Sequence, residues 1–512
     1  MRKIYFLLFT LFSLLTLGAC ERQINYIYSI NCEEQIALDY NTTEAEISYS
    51  LYYALDASTI TVSATTNADW IESVVTTPGN KNNGTISLIF EENPSVKSRT
   101  ATITLNATSH APKKIKVTQF GTPADKEANH TLMFVFLGTS LDRYFKTNID
   151  DAKKAISTGI LGDSNRVLIF RQEFARRAHI SEICYDPTSK TCIERRVVSD
   201  IVLPASQLTT ESLAEYINTM ATEAPAKRYG VVLAGHGQAW LPYEYVNKNK
   251  SSISTLSTSF STWAPALGAE VTRAYGESNV LFDIEEVAEA IDLSGVELDY
   301  ILFDACFMSN IESVYDLRNS ANYIIASPCE IMGRGFPYER TLPYLFEDNG
   351  MSTNYNKAAE SYYLFYRDEY VGGQRSGSIA VIDCNEVEAL ADATKNVLKS
   401  MTTGWYDRND LQTYEGENPH RFFDFGEWVN VVATDNSALE AFNTQLAKTV
   451  IAKYSLDSFY SAYGSYGTYP INLDIYSGIT TSAPTESEIY SYMLNTNWCK
   501  YVWPEKAKEI AE

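Results

Sequence analysis

The sequence predicts an α/β protein, a mostly parallel sheet flanked by helices, preceded by a small β-sandwich. Three observations carry this. Between residues 46 and 121, short runs of alternating apolar and polar residues are separated by turn residues, the pattern of a sandwich. From about residue 130, wholly apolar runs alternate with amphipathic helical segments. Strands apolar on both faces belong to a parallel sheet covered on both sides. The length of 512 residues is too great for one core and leaves room for both units.

The N-terminus has the plan of an export signal. Met1-Arg2-Lys3 is a positive start, and Ile4 to Leu17 is an apolar run of signal length, too short to span a bilayer. It closes on Leu17-Gly18-Ala19-Cys20. Small residues before a cysteine resemble the bacterial lipobox, so residues 1–19 are expected to be removed and Cys20 lipidated. The alternative is a plain secretory signal with a coincidental cysteine. No later stretch is long and apolar enough to span, so with the lipobox the mature chain is expected to be anchored at the bacterial envelope rather than inserted. That places it on the outer membrane, facing the periplasm or the surface.

Residues 20–45 read as a tether. The strands then run "EISYSLYY", "TITVSATT", "GTISLIFEEN", "RTATITLNATS" and "KKIKVTQFG". After "TPADKEANH" the period changes. "LMFVFLG" and "RVLIFRQ" read as strands, "TNIDDAKKAIS" and "ESLAEYINTMATE" as helices. Two further strands stand out because of what ends them. "YGVVLAGHGQAW" stops on Gly235-His236-Gly237, and "LDYILFDACFMSN" stops on Asp304-Ala305-Cys306. Between and after them come the helices "DIEEVAEAIDL" and "NIESVYDLRNS" and the strand "YIIAS".

Ligands of parallel sheets bind beyond the carboxyl ends of the strands. A strand end presents a side chain rigidly at that rim. Here one strand presents an imidazole and another a thiol, in a chain with only five histidines. A thiol attacks as its thiolate and needs a base beside it. His236 supplies that base and then protonates a leaving amine. The glycines admit close approach of backbone, and the Gly237 N–H is placed to hold a developing oxyanion. Taken singly, Cys306 reads as a buried structural thiol and His236 as a surface group. Their matching context is what brings the catalytic reading level with that one.

The remaining cysteines carry less. Cys184 and Cys192 flank "YDPTSKT", a turn, and a disulfide across it is one reading, two free thiols the other. No CxxC or HxxxH spacing occurs, so no metal and no cofactor are expected. The net charge of −23 disfavours nucleic acid and anionic lipid surfaces as partners.

With these motifs in hand, "LAGHGQAW" and "LDYILFDACFMSNIESVYDLRN" resemble the clostripain family of cysteine peptidases, relatives of caspases, legumains and gingipains. Weaker matches are "SIAVID", "FFDFGEWV" and "YSYMLNTNWCKYV". The resemblance covers about residues 130–505, and the peptidase domain it implies is 130–512, including a C-terminal subdomain. It implies the caspase–hemoglobinase fold, a dyad of His236 and Cys306, and endopeptidase action on protein or peptide substrates. It implies further that "YIIASPCEIMGRGFPY", with Ser327 and Arg334, forms a substrate-side loop. Asp304, two positions before the nucleophile, would then line the pocket for the residue before the scissile bond, where it would pair with Arg or Lys. Its alternative is a structural acid.

Two departures from the family matter. Gly333-Arg334-Gly335-Phe336 stands where family members often carry Gly-acid-Gly. A guanidinium beside Asp304 is expected to neutralise it and weaken a preference for basic substrates. The loop "GTSLDRYF" lacks the family's acidic, Asn-rich run. From Ser251 to Thr262, nine of twelve residues are Ser or Thr, an exposed loop. Family members are often activated by a cut in this region, and within 241–272 Lys248 and Lys250 are the candidates, with Arg273 further on.

"NADWIESV" and "IKVTQFG" make residues 46–121 resemble the BACON domain, an immunoglobulin-like module in which Trp70 is a shared feature. It reads as a spacer or a surface- or glycan-binding module. The competing reading of the whole chain is a catalytically silent adhesin or glycan-binding lipoprotein on a peptidase scaffold. An acyl transferase using the same cysteine differs only in its acceptor. The oligomeric state stays open.

Overall fold

The computed structural model describes residues 26–54, 60–79, 82–94, 99–108, 110–121, 127–162, 164–186, 191–204, 208–242, 281–372, 374–400, 408–462, 466–484 and 490–504. The chain divides into two compact units, 1–125 and 126–512.

The first unit is a sandwich of two four-stranded sheets. One has the order β1 (Tyr26–Cys32), β3 (Glu44–Ala54), β6 (Asn83–Phe90), β5 (Ile71–Pro78). The other has β2 (Gln35–Leu38), β8 (Lys113–Gln119), β7 (Arg99–Ala107), β4 (Val62–Thr66). Alternate residues such as Ile47, Ile86, Leu88, Ile103, Leu105, Ile115 and Val117 meet in the core. Trp70 meets Phe90 edge to face, with ring centroids 5.9 Å apart, and Arg99 lies over its ring. The tether expected at 20–45 needs correction. β1 pairs with β3 and β2 with β8, so Ile27 and Ile30 belong to the core. Both strands are short and mix polar with apolar residues, so the alternation was too brief to read.

The second unit is built on a nine-stranded sheet. Its strands are β9 (Ala128–Phe136), β10 (Asn165–Phe174), β11 (Arg177–Asp186), β12 (Thr191–Val202), β13 (Ala226–Ala234), β14 (Leu298–Asp304), β15 (Ala321–Ala326), β16 (Ile379–Asp383) and β17 (Val450–Tyr454). Their spatial order is β12-β11-β10-β9-β13-β14-β15-β16-β17. The five strands from β10 to β15 are parallel. The outer strands β11, β12, β16 and β17 join by antiparallel pairing.

The helices are α1 (Asp142–Ser157), α2 (Thr210–Glu223), α3 (Ile284–Ser294), α4 (Ile311–Leu317), α5 (Tyr338–Leu345), α6 (Tyr355–Leu364), α7 (Val387–Ser400), α8 (Phe425–Val432), α9 (Asn436–Thr449), α10 (Tyr490–Asn495) and α11 (Asn497–Val502). Strand alternation sorts the core into two layers. Val231, Leu233, Ile301 and Phe303 face one layer, with α2, α3 and α4. Leu132, Phe134, Val232, Ala234, Tyr300 and Leu302 face the other, with α1, α5 and α6. The sheet is thus apolar on both faces because both are covered.

β11 and β12 pair antiparallel as expected, but no disulfide joins them; residues 187–190 lie outside the described residues. Cys184 is registered opposite Ile193, and Cys192 opposite Tyr185. Neighbouring residues on a strand point to opposite faces, so the two thiols diverge. Both are free. The Cys192 thiol donates to the Lys153 carbonyl, and burial pushes its pKa up to about 11.

Candidate active site

The site is built where β13 and β14 end. These strands lie side by side in parallel, and the last registered pair is Ala234 with Asp304. The Gly235 N–H still reaches the Asp304 carbonyl at 3.4 Å. His236 and Cys306 are therefore each two residues past a registered pair. Two residues is one pleat period, which keeps a side chain on its face. Cys306 indeed lies in the same core layer as Ala234 and Leu302. His236 is half-buried and Cys306 wholly buried.

Gly237 shows why a glycine stands here. A Cβ on it would lie 2.4 Å from the Cys306 carbonyl oxygen and 3.0 Å from the Cys306 nitrogen. The strand end carrying the imidazole thus runs directly against the peptide of the thiol. After Cys306 the chain turns sharply, and Phe307 takes the left-handed conformation at φ 62°. Such a conformation costs a non-glycine residue about 1–2 kcal/mol and persists only where surroundings enforce it.

Those surroundings are the segment after β15. The Ser309 N–H donates to the Ser327 carbonyl and the Phe307 N–H to the Cys329 carbonyl, both at 3.0 Å. The Ile331 N–H points at the Cys306 sulfur at 3.3 Å. Glu330 then fixes this segment to the C-terminal part. Its buried carboxylate accepts from the Ser461 hydroxyl and from the Ala462 N–H. Phe422 covers the turn from that same part, stacked on Phe307.

The predicted substrate residues separate. Asp304 is buried, and its carboxylate accepts from the Tyr338 hydroxyl at 2.9 Å. Ser327 is buried and its hydroxyl accepts from the Cys329 N–H, which makes it a turn residue in this structure. Arg334 corrects the sequence reading. Its guanidinium pairs with Asp151 on α1 and lies over the Phe365 ring, while Asn148 donates to its carbonyl at 2.9 Å. It staples its loop to α1 instead of serving as the partner of Asp304. Helix α1 presents a buried carboxylate there, which sequence spacing could not reveal.

Cys20, Lys248, Lys250 and Arg273 lie outside the described residues. Among the described residues, no cluster of His, Cys, Asp or Glu is placed to hold a metal ion. Sequence reasoning missed Ser140, whose hydroxyl sits 3.1 Å from His236 Nε2. It also missed Tyr338, Glu330 and Phe422. Each lies inside a stretch the family resemblance had singled out, Ser140 in "GTSLDRYF", Glu330 and Tyr338 in "YIIASPCEIMGRGFPY" and Phe422 in "FFDFGEWV", but nothing in the sequence assigned it a partner.

The ends of β13 and β14 thus carry an imidazole and a thiol at one rim of the sheet. The class of the protein follows from the comparisons with known proteins. The clostripain family profile matches residues 266–501, and the BACON profile residues 58–120. A secreted C11 cysteine protease from Bacteroides thetaiotaomicron, "iotapain", is 30% identical; the match covers 74% of this chain and 100% of that one, at a TM-score of 0.61. An inactive zymogen C11 protease from Parabacteroides distasonis is 26% identical over 74% of this chain and 99% of its own, at 0.59. A C11 protease from Bacteroides thetaiotaomicron in complex with an irreversible peptide inhibitor matches over the same 74% at 24% identity and 0.59. The curated proteins give no match. The chain belongs to the clostripain family of cysteine peptidases, with a BACON domain before the peptidase unit. No described helix is long and apolar enough to cross a membrane.

Proposed function

We propose that this chain is a lipid-anchored cysteine endopeptidase in which His236 and Cys306 form the catalytic dyad. The observation that carries the reading is the register of β13 and β14, which sets both residues one pleat period beyond the pair Ala234–Asp304. In the reaction, His236 takes the thiol proton and the Cys306 sulfur bonds to the scissile carbonyl carbon. The carbonyl pair moves onto oxygen, where the Gly237 N–H receives it. The intermediate collapses to a thioester as His236 gives its proton to the leaving amine. Water, deprotonated by His236, then attacks the thioester; the second tetrahedral intermediate expels the thiolate, leaving the carboxylic acid product.

With Arg334 engaged by Asp151, its guanidinium is not the partner that would weaken a basic preference at Asp304. Asp304 then favours Arg or Lys before the scissile bond, through a charge-assisted pair. The sulfur is fully enclosed, which supports a latent form opened by self-cleavage in the 241–272 loop, at Lys248 or Lys250. Anchoring through Cys20 would hold the enzyme at the envelope.

A positional-scanning peptide library, applied to the wild type beside Cys306→Ala and His236→Ala, tests the reading. Both variants should lose about 10³-fold or more in kcat. The wild type should appear as two associated fragments and Cys306→Ala as one intact chain. Substantial cleavage by Cys306→Ala would refute the dyad. Burial raises the Cys329 thiol well above its ordinary range, which leaves it a poor substitute nucleophile. Labelled palmitate still entering Cys20→Ser would refute the anchor.

A further inference from the structure

The dyad has a neighbour that its chemistry has not yet used. Ser140 Oγ stands 3.1 Å from His236 Nε2. The contact is set by the fold. The Leu137 N–H donates to the Ala234 carbonyl, so the end of β9 is tied to the strand that carries His236. Gly138 then turns the chain at φ 109°, and its N–H is held by the buried Gln172 side chain at 2.9 Å. Leu141 is buried in the layer of Cys306. Between these two anchors the hydroxyl of Ser140 is carried to the imidazole.

We propose that Ser140 is a positioning residue for the reaction: it accepts the Nε2–H of His236 and thereby leaves Nδ1 as the nitrogen that exchanges a proton with Cys306. This rests on the dyad reading above. The two nitrogens of a neutral imidazole cannot both be donors, and the partner of one decides the role of the other. A hydroxyl oxygen at Nε2 also favours the imidazolium, since the charged ring keeps that donor. Its hold is weaker than a carboxylate's, because only one neutral dipole faces the charge. Ser140 is itself exposed, so its replacement leaves the core untouched.

The full chain is assayed with Ser140→Ala, Ser140→Thr and Ser140→Asp beside the wild type. Two readouts are taken: the pH dependence of kcat/KM, and that of Cys306 alkylation by iodoacetamide located by mass spectrometry. Ser140→Ala should lower kcat by about tenfold at unchanged KM. The limb set by His236 should move to lower pH, because the imidazolium has lost its acceptor. Ser140→Asp should move that limb to higher pH, and Ser140→Thr should restore the wild-type profile. Alanine and aspartate variants with the wild-type kcat and an unmoved profile would overturn the proposal. Unaltered activity in His236→Ala would instead overturn the dyad, which keeps the two failures distinct.

Discussion

The rings of Phe307 and Phe422 lie stacked with centroids 4.3 Å apart and planes 4° from parallel. Phe307 directly follows Cys306, the proposed nucleophile, and holds a left-handed backbone. Phe422 comes from the C-terminal part, so that part covers the turn after Cys306. Phe422→Ala should cost about 3–5 kcal/mol of stability, as for other buried Phe deletions. It should also lower kcat, since the strained turn loses its cover. Urea unfolding followed by fluorescence, with kcat measured on the folded fraction, checks both; a full-rate, fully stable variant would dismiss the buttress.

Arg334 and Asp151 make the second prediction. Arg334→Asp sets a carboxylate against the nearly buried Asp151, whose side chain is 4% exposed. Lys154 also pairs with Asp151 and Arg334 is only part-buried, so losing Arg334 costs less than the ~3–5 kcal/mol of a fully buried pair, and the like charge adds to that. The variant should melt earlier and gain nothing on Arg or Lys substrates. A gain of about tenfold on those substrates, worth about 1.4 kcal/mol, would show that Arg334 screens Asp304 after all.

Gly237→Ala should keep its fold and lose activity. The new Cβ would press on the carbonyl and nitrogen of Cys306, both main-chain atoms. The two strand ends must part, and misplacement of reacting groups by about 1 Å can cost about 10²-fold. Circular dichroism should match the wild type while kcat/KM drops. Wild-type kcat/KM would mean the approach is looser than described.

His130 gives a dependence on acid. It is buried on β9, with its Nε2 3.3 Å from the Tyr300 hydroxyl and its ring packed on Phe346. Burial, aided by the nearby Arg228 charge, lowers its pKa from 6.5 to about 3. The folded state keeps it neutral while the unfolded chain takes up a proton below 6.5. Its contribution is therefore present above pH 6.5 and is lost as pH falls toward 3. Tm plotted against pH should fall less steeply on the acid side in His130→Gln. Equal acid slopes would rule out His130 as the cause.

The parallel sheet, the sandwich and the two strand ends were legible because each is written in contiguous residues. An apolar run that stops on Gly235-His236-Gly237 states its own face and end, and so does one that stops on Asp304-Ala305-Cys306. Side-chain alternation is a property of the local backbone, so it survives without knowledge of the fold. Less was visible where pattern was short, as in β1 and β2.

Partnership is another matter. That Arg334 would meet Asp151, that Phe422 would cover Phe307 and that Ser140 would reach His236 depends on which elements pack together. Cys184 and Cys192 show the same division within one hairpin. The sequence by itself placed a turn signal between them, and only the register decided that their thiols face opposite sides. A chain carries its periodicity through covalent neighbours. Which carboxylate neutralises which guanidinium is settled by distance in space, and for residues far apart in the chain only the packed core sets that distance.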